Sequence, residues 1–310
     1  MAFSRLVARN VPLAPFTRFG IGGPADSYFE SSDEADFVEA LREARASGEP
    51  FAVLGGGTNL VVSDAGFRGL ALRFTGASIG SEGNLVWAQS GAELQALVDF
   101  TISRGLKGLE TLAGIPGWVG AAIYGNAGAY GRSISESVSS VRFFDGERLR
   151  EISAAECEFA YRESVFKRRK DWVILSAKFA MQPGDAAELR ATADAILRVR
   201  NEKFPPSMKC AGSIFKNLLT AALPPEVLAR TPSEVIREGK VPAAFFLEQV
   251  GAKGLSRGAI RVAPYHANLI YNEGGGTARD LRELVAELKK RVRERFGIEL
   301  EEEIQYLGAC

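Results

Sequence analysis

The apolar positions along the chain follow two patterns, one with helical spacing and one of short continuous or alternating runs. Helical spacing predicts helices over Glu34–Ala46, Ala92–Arg104, Ala186–Arg200, Ala243–Val250 and Ala278–Phe296. The short runs predict strands over Tyr28–Glu30, Phe51–Leu54, Leu60–Val62, Leu85–Ala88, Val138–Asp145, Val173–Met181, Ala259–Val262, Asn268–Tyr271 and Ile298–Leu307. Helices and strands mixed in this order favour an α+β protein.

Residues that favour the ends of elements divide the chain further. Ser32 or Asp33 is expected to cap the first helix, and Gly105 stands where a C-cap glycine belongs. The segment Asn201–Lys209 is expected to be a linker, because its pair Pro205-Pro206 cannot continue a helix. The predicted parts of the chain are residues 1–76, 77–200 and 201–310.

The first glycine-rich run, VLGGGTNLVVSDAGFRG, begins at Val53 and joins two predicted strands. Gly55, Gly56 and Gly57 lie at the junction, where they can adopt positive φ and leave backbone N–H groups uncovered. Successive amides of this kind form a concave surface that binds anions, such as phosphate or pyrophosphate. A plain tight turn between two strands is an equally good interpretation of this run alone.

A second run, AGIPGWVGAAIYGNAGAYG, changes that balance. It covers Ala113–Gly131 and holds six glycines in nineteen residues, whereas an ordinary loop needs one or two for its turns. Such a density predicts a backbone pressed against something flat or charged. Neither run is a P-loop, because no lysine follows the glycines, and neither has the spacing of a Rossmann dinucleotide site.

The charge balance and the cysteines narrow the class of protein. Lys and Arg number 38, and so do Asp and Glu, so no global field favours nucleic acid or an anionic membrane. Arg5 and Arg9 interrupt any apolar leader, and no membrane insertion is expected. Cys157, Cys210 and Cys310 are too far apart for a disulfide framework or a metal site, so a reducing cytoplasm is expected.

Taken together, the two runs resemble the UDP-N-acetylenolpyruvoylglucosamine reductases, the MurB flavoenzymes of bacterial peptidoglycan synthesis. The resemblance implies a two-part FAD-binding module of the PCMH or vanillyl-alcohol-oxidase type, residues 1–76 and 77–200. A smaller α+β substrate-binding domain, residues 201–310, follows, and its C-terminal strand returns to the active site. The chain length and the short path from Arg162 to Ser213 resemble the compact type II branch, which lacks a tyrosine-bearing substrate loop.

The same resemblance implies the cofactors FAD and NADPH. The residues expected to contact FAD are Gly55, Gly56, Gly57, Thr58, Asn59, Leu60, Gly114, Pro116, Gly120, Gly125, Asn126, Gly128, Ala129 and Tyr130. Related flavoproteins often attach FAD to a histidine near the glycine loops, but the only histidine here is His266. The bound FAD is therefore expected to be noncovalent.

Catalytic roles also come from the resemblance. Arg162 lies in a Y-R-x-S segment whose arginine is in the family's active site, and its planar fork suits a carboxylate. Without the resemblance, Arg162 is an arginine on a basic surface segment. Ser213 lies in AGSIFKN, where the family has its proton donor, although by itself it is an ordinary turn serine. The residues expected to contact substrate are Tyr130, Arg162 and Asn217.

The third catalytic residue is an acid near the C-terminus, and two positions compete for it. Alternation along GIELEEEIQYLG places Glu302 on the apolar face, which makes it the unusual acid. The family pattern instead places the catalytic glutamate just before an apolar residue, at Glu303, and we assign the role to Glu303. A β-bulge would reconcile the two interpretations.

The resemblance implies an NADPH-dependent reduction of the enolpyruvyl ether of UDP-N-acetylglucosamine to UDP-N-acetylmuramate. Hydride would add to the β-carbon, Arg162 and Glu303 would stabilise the enolate, and Ser213 would protonate the α-carbon. A flavin oxidase of the same fold and a non-catalytic FAD-binding protein are the alternatives. The only partner expected is this small-molecule substrate, and a monomer is expected.

Overall fold

The computed structural model describes residues 7–309, so Arg5 and Cys310 lie outside the described part. Its strands are β1 (Ala8–Pro12), β2 (Pro24–Ser31), β3 (Phe51–Val53), β4 (Leu60–Val62), β5 (Phe67–Phe74), β6 (Ile79–Glu82), β7 (Leu85–Gln89), β8 (Leu106–Lys107), β9 (Gly128–Ala129), β10 (Arg132–Ser133), β11 (Val138–Phe144), β12 (Leu149–Ser153), β13 (Val173–Ala180), β14 (Gln182–Pro183), β15 (Cys210–Ser213), β16 (Leu218–Leu219), β17 (Lys240–Val241), β18 (Ser256–Arg257), β19 (Ile260–Val262), β20 (Leu269–Asn272) and β21 (Gln305–Leu307). Its α-helices are α1 (Glu34–Ser47), α2 (Leu94–Ser103), α3 (Val119–Tyr124), α4 (Val165–Arg168), α5 (Ala186–Lys203), α6 (Pro225–Leu228), α7 (Ala243–Gln249) and α8 (Ala278–Phe296).

The chain forms two compact units. The first unit holds residues 7–11, 25–56 and 68–206 of the described chain, and the second unit holds residues 12–24, 57–67 and 207–309. The unit boundary therefore crosses the first glycine-rich run between Gly56 and Gly57.

The first unit contains two sheets with separate apolar cores. One sheet has the order β1-β2-β5-β3 and packs against α1, where the Phe37 and Phe74 rings lie 5.2 Å apart. The other is an antiparallel sheet of order β12-β11-β13-β7-β6, whose inner face packs against α2 and α3. Fully buried aromatic side chains such as Phe143 and Phe179 fill this core. Burying each such side chain stabilises the fold by about 1.5–3 kcal/mol.

Helix ends in the first unit follow the capping signals of the sequence. Asp33 is the N-cap of α1, and its carboxylate accepts a hydrogen bond from the Asp36 amide at 2.9 Å. Gly105, just after the end of α2, has a φ of 64°, the left-handed conformation that glycine adopts without cost. Both predictions are confirmed.

The second unit is built around α8 and the antiparallel sheet β15-β20-β19-β18. The predicted bounds of α8 are confirmed. A capping box of Thr277 and Asp280 begins it, and Gly297, with a φ of 66°, ends it. Asp64 adds a second cap, because its carboxylate accepts hydrogen bonds from the backbone amides of Ala278 and Arg279. These contacts fix the N-terminus of α8 to the segment that follows β4.

Two sequence predictions were wrong at their boundaries. Helix α5 continues to Lys203, so the first three residues of the predicted linker are helical and the helix ends just before the two prolines. The predicted last strand, Ile298–Leu307, is a strand only at β21, because a single bridge joins Glu302 to Phe215 before β21 pairs in parallel with β4. The alternation persists, since Ile298, Leu300 and Ile304 are all buried.

No helix within residues 7–309 is long and apolar enough to cross a membrane.

Candidate active site

The two glycine-rich runs lie against each other in the first unit. A Cβ placed on Gly55 would lie 3.4 Å from the Ala121 Cβ, and one placed on Gly56 would lie 3.1 Å from Cδ1 of Trp118. Neither the Gly55 nor the Gly56 amide donates a hydrogen bond to any residue in the described part of the chain. The arrangement therefore leaves two backbone donors beside a helix of small residues, which fits a bound anion.

The Trp118 side chain also contacts Arg73. The Arg73 guanidinium carbon lies 4.7 Å from the centroid of the Trp118 ring, a distance at which the cation and the ring attract each other. Arg73 Nη1 also donates to the Tyr28 hydroxyl at 3.3 Å, and that hydroxyl donates to Glu30. Burial, assisted by the hydrogen bond to Glu30, raises the pKa of Tyr28 to about 12, so its hydroxyl remains a donor. These contacts help to hold the Trp118 ring beside Gly56.

Protein packing accounts for three glycines of the second run. A Cβ on Gly120 would lie 2.6 Å from the Ser90 Cβ, and one on Gly128 would lie 2.4 Å from the Arg132 carbonyl oxygen. Gly114 has a φ of 75° and lies under Leu197. The close approach that the sequence predicted is made, at these positions, by the protein's own atoms.

Gly125 is different. The nearest protein atom to a Cβ placed there is the Ala121 carbonyl oxygen at 3.6 Å, an ordinary contact, and its φ of −95° accepts any residue. No protein atom therefore requires glycine at position 125. The absence of a side chain there leaves space at the end of α3 that a bound group could occupy.

Arg162 lies in a tight turn that is locked to the second glycine-rich run. Ala160 and Glu163 exchange backbone hydrogen bonds of 3.1 Å, and Arg162 takes a φ of 59° between them. The Asn126 side-chain amide donates to the Ala160 carbonyl at 2.8 Å, and Arg162 Nη2 donates to the Gly128 carbonyl at 3.1 Å. A left-handed arginine costs about 1–3 kcal/mol, so the surrounding contacts must hold this turn.

Lys167 is one of those contacts, and the sequence analysis did not single it out. Its ammonium donates to the Arg162 carbonyl at 2.8 Å and to Glu163 at 3.0 Å. Asn126, expected to contact FAD, instead uses its side chain to fix the Ala160 carbonyl and is only 6% exposed. The i,i+4 spacing of Glu163 and Lys167 is a local signal for the first role. The Asn126 role has none, because its partner is a backbone carbonyl distant in sequence.

Tyr130 lies at the tip of the hairpin formed by β9 and β10. Tyr130 and Gly131 have φ values of 53° and 76°, the pattern of a type I′ turn. The Tyr130 side chain is 53% exposed, so it is available to a ligand. The hairpin begins at Gly128, whose carbonyl accepts from Arg162, and this places Tyr130 and Arg162 on neighbouring segments.

In the second unit, the remainder of the first glycine-rich run meets the C-terminal segment. Gly57 has a φ of 66°, and a Cβ there would lie 1.7 Å from the Phe16 carbonyl oxygen, so glycine is required. The Asn59 side-chain amide donates to the Glu303 carbonyl at 2.7 Å, and the Gln305 amide donates to the Asn59 carbonyl at 2.9 Å. The segment Gly57–Leu60 and Glu303 are thus adjacent although about 240 residues apart.

Ser213 lies next to the same C-terminal segment. It ends β15, and the Glu303 amide donates to the carbonyl of the following residue, Ile214, at 2.7 Å. Asn217, four residues after Ser213, accepts a hydrogen bond from the Ala243 amide at the start of α7, with a distance of 3.4 Å. The second unit therefore brings together Asn59, Ser213 and Glu303.

The neighbouring acids of the C-terminal segment have protein partners. Glu302 accepts from the Lys289 ammonium at 2.9 Å and from the Tyr306 hydroxyl at 2.7 Å, which ties its carboxylate to the side of α8. Glu301 is ion-paired with Lys216. The ion pair with Lys289 thus explains why an acid stands at position 302, on the apolar face that the alternation predicted.

The comparisons with known proteins agree with this arrangement. Two family models match: FAD binding domain over residues 25–148, and UDP-N-acetylenolpyruvoylglucosamine reductase, C-terminal domain, over residues 204–307. The predicted order of an FAD-binding module followed by a reductase domain is confirmed.

Relatives match along the whole chain. The chain is 65% identical over 302 residues to the UDP-N-acetylenolpyruvoylglucosamine reductase of Solibacter usitatus, with 97% of each protein covered. It is 38% identical over 299 residues to the protein of the same name from Rubrobacter xylanophilus, covering 96% of this chain and 94% of that protein. The crystal structure of MurB from Thermus caldophilus matches with a TM-score of 0.76 and 28% identity, covering 97% of this chain and 99% of that one. The chain belongs to the UDP-N-acetylenolpyruvoylglucosamine reductase (MurB) family.

Proposed function

We propose that this chain reduces the enolpyruvyl ether of UDP-N-acetylglucosamine to UDP-N-acetylmuramate, a step in peptidoglycan precursor synthesis. NADPH is the reductant, and FAD, when bound, carries a hydride from NADPH to the β-carbon of the enol ether. The observation that carries this proposal is the 65% identity to a reductase of that name along 97% of both proteins. Identity at this level over both units supports a shared substrate as well as a shared fold.

Turnover of NADPH tests the proposed function. The purified, flavin-loaded protein is expected to oxidise NADPH rapidly only when the enolpyruvyl ether is present, since the reduced flavin then has its acceptor. The decrease in absorbance of NADPH, measured with and without the ether in air, provides the test. Rapid consumption of oxygen without the ether would support a flavin oxidase, and bound flavin without any NADPH oxidation would support a non-catalytic binding protein.

The FAD-binding surface has support in each unit. In the first unit, the free Gly55 and Gly56 amides and the open face at Gly125 fit a phosphate-bearing cofactor. We also assign contacts with FAD to the remaining expected residues of both runs, except for the side chain of Asn126, which is engaged by the Ala160 carbonyl. His266 belongs to the second unit and is bonded through Nδ1 to the Asn268 amide, and we propose that FAD is held noncovalently.

Gly125→Val tests the cofactor site because a Cβ at this position makes only an ordinary contact with the protein. We expect wild-type protein to release its flavin into the supernatant on acid precipitation and Gly125→Val to carry little flavin, with an unchanged circular dichroism spectrum. Gly120→Val is the contrasting variant, because its Cβ would lie 2.6 Å from the Ser90 Cβ and should lower stability directly. A folded Gly125→Val protein with full flavin content would remove Gly125 from the site, and a yellow wild-type pellet would indicate a covalent flavin.

The chain's own residues supply the remaining chemistry. Addition of hydride to the β-carbon leaves negative charge on the α-carbon and its carboxylate. We assign stabilisation of that charge to Arg162 and Glu303, and delivery of a proton to the α-carbon to Ser213. A serine is a weak acid in water, and it can donate only to a strongly basic centre such as this carbanion in a preorganised site. Tyr130, Arg162 and Asn217 are assigned to substrate contacts.

Glu302 and Glu303 are the two neighbouring acids of the C-terminal segment that compete for the role beside the enolate. Glu302 is less suited, since its carboxylate is paired with the Lys289 ammonium and the Tyr306 hydroxyl. The family pattern, together with the Glu303 backbone bonds to Asn59 and Ile214 beside Ser213, supports Glu303.

The organisation and location of the protein complete the proposal. We propose that residues 1–76 and 77–200 form the two parts of the FAD-binding module and that residues 201–310 bind the substrate. Cys157 and Cys210 are buried free thiols, and burial raises the pKa of Cys157 to about 12, which suits a reducing cytoplasm. The protein is proposed to act as a monomer, which sedimentation would test.

A further inference from the structure

The strand that carries Ser213 is irregularly paired. Cys210 lies opposite Tyr271 on β20 and Ser213 lies opposite Leu269, so three steps along β15 match only two along β20. Gly212 absorbs the extra residue with a φ of 72°. A bulge of this kind redirects the side chain that follows it and interrupts the ladder that would otherwise fix the register. Something else must hold the chain after Ser213.

Asn268 holds it. The Asn268 side chain is 2% exposed, its Oδ1 accepts from the Phe215 amide at 2.9 Å, and its Nδ2 donates to the Phe215 carbonyl at 2.8 Å. The Asn268 backbone carbonyl also accepts from the Ile214 amide at 3.1 Å. One asparagine therefore makes three hydrogen bonds to the two residues directly after Ser213.

The side-chain amide of Asn268 makes the hydrogen bonds that a neighbouring strand would make with Phe215. Its oxygen accepts from the Phe215 amide, and its nitrogen donates to the Phe215 carbonyl. Phe215 is 1% exposed, so water cannot replace these bonds when Asn268 is removed. The same segment accepts the Glu303 amide at the Ile214 carbonyl, so the position of Ser213 and the path of the C-terminal segment depend on one another.

We propose that Asn268 is a positioning residue for proton delivery, which fixes the bulged segment so that the Ser213 hydroxyl is aimed at the substrate. The inference rests on the role proposed above for Ser213. It predicts that disturbing the two side-chain bonds of Asn268 slows the step that needs Ser213 and leaves flavin reduction nearly unchanged. A purely structural role would lower stability without distinguishing between the two half-reactions.

N268D is the sharpest variant, because it keeps the shape of the side chain. An ionised carboxylate offers two acceptors and repels the Phe215 carbonyl, whereas a protonated carboxyl offers one donor and one acceptor, as asparagine does. Burial raises the pKa of the introduced carboxyl. At a pH above that pKa, where the carboxyl is ionised, we expect N268D holoenzyme to reoxidise with substrate about 10- to 100-fold more slowly than wild type, the effect of a small misplacement of a reacting group.

Lowering the pH should then restore the N268D rate toward that of the wild type, measured by stopped flow of prereduced enzyme mixed with the enolpyruvyl ether. Titratable residues that contact this segment include His266, which accepts from the Asn268 amide, Glu302, which is bridged to Phe215, Glu303, and Lys216 with its partner Glu301. Wild type and Ser213→Ala over the same pH range control for their titration. A wild-type rate for N268D at every pH tested, or a slow rate that acid does not restore, would overturn the inference.

A double variant separates this inference from the proposed function. If Asn268 acts through Ser213, then Ser213→Ala combined with N268D should reoxidise within about twofold of Ser213→Ala alone, because the two changes remove one effect. If the rate of the double variant fell by the product of the two single effects, Asn268 would have a role separate from that of Ser213. A Ser213→Ala enzyme with the wild-type rate would remove the proposed proton donor itself, whatever N268D does. If N268D does not fold, N268S, which can make only one of the two bonds, should be slow in the same half-reaction, and a wild-type rate would count against the proposal.

Discussion

Replacing Ser213 with alanine is expected to slow the reoxidation of the reduced flavin by substrate about 10²–10⁴-fold, the range for loss of a positioned acid. The hydroxyl is expected to deliver a proton to the α-carbon after the hydride has added, and alanine has none to give. Reduction of the flavin by NADPH requires no proton from Ser213 and should change little. Stopped-flow traces of the two half-reactions, recorded separately, give the measurement.

Two further variants make the Ser213 experiment specific. Ser213→Cys should retain part of the rate, because a thiol of pKa about 8.5 can still donate a proton. Ser256→Ala is the matched control, since Ser256 is an exposed serine on β18 of the same four-stranded sheet and should reoxidise at the wild-type rate. A Ser213→Ala enzyme that reoxidises as fast as Ser256→Ala would exclude Ser213 from the reaction.

The elements that the sequence predicted well are those whose signals are local. Helix α8 has a capping box at its start, a glycine at its end and an apolar stripe between them, and its predicted bounds agree with the structure. The predicted length of the last strand was wrong because a segment forms a strand only where it has a hydrogen-bonded partner. Ile298, Leu300 and Ile304 are buried, but the segment gains a continuous partner only where β21 pairs with β4.

The candidate site was only partly predictable for the same reason. The glycines of the second run stood out in the sequence. Gly120 and Gly128 are required because a side chain there would collide with Ser90 and with the Arg132 carbonyl, and no local pattern distinguishes them from Gly125. The Asn268 role had no signal in the sequence, because the apolar pattern marked this residue only as the start of the predicted strand Asn268–Tyr271. Its importance comes from the bulge in β15, which is a property of the pairing of two strands.

The contacts of the C-terminal segment bear on the choice between the two candidate acids, which stays a prediction. Alternation favoured Glu302, whereas the resemblance favoured Glu303. The Glu302 carboxylate is 22% exposed and paired with Lys289 along α8, so its position on the apolar side serves the ion pair. The Glu303 backbone is fixed between the Asn59 side chain and the Ile214 carbonyl, within the part of the second unit that also carries Ser213.

Variants of Arg162 and Glu303 are expected to give the second large effect. Arg162→Ala or Glu303→Gln should slow substrate-dependent reoxidation about 10²–10³-fold, the loss typical of removing one group that stabilises developing charge. Arg162→Lys should recover little, because an ammonium lacks the planar fork that binds a carboxylate through two bonds. Flavin reduction by NADPH should change far less in all three, as it involves no enolate.

Glu302→Gln provides the matched control for Glu303→Gln, because it makes the same chemical change one residue earlier. It breaks the ion pair with Lys289, whose charged groups are partly solvated, so we expect the free energy of unfolding to fall by about 0.2–1 kcal/mol. The reoxidation rate should stay near that of the wild type, because the Glu302 carboxylate is bonded to Lys289 and Tyr306. Stopped-flow rates and urea denaturation of both variants separate the two effects. If Glu302→Gln carried the rate defect and Glu303→Gln did not, the alternation of the C-terminal segment would have identified the catalytic acid, and the ion pair with Lys289 would have to open during the reaction.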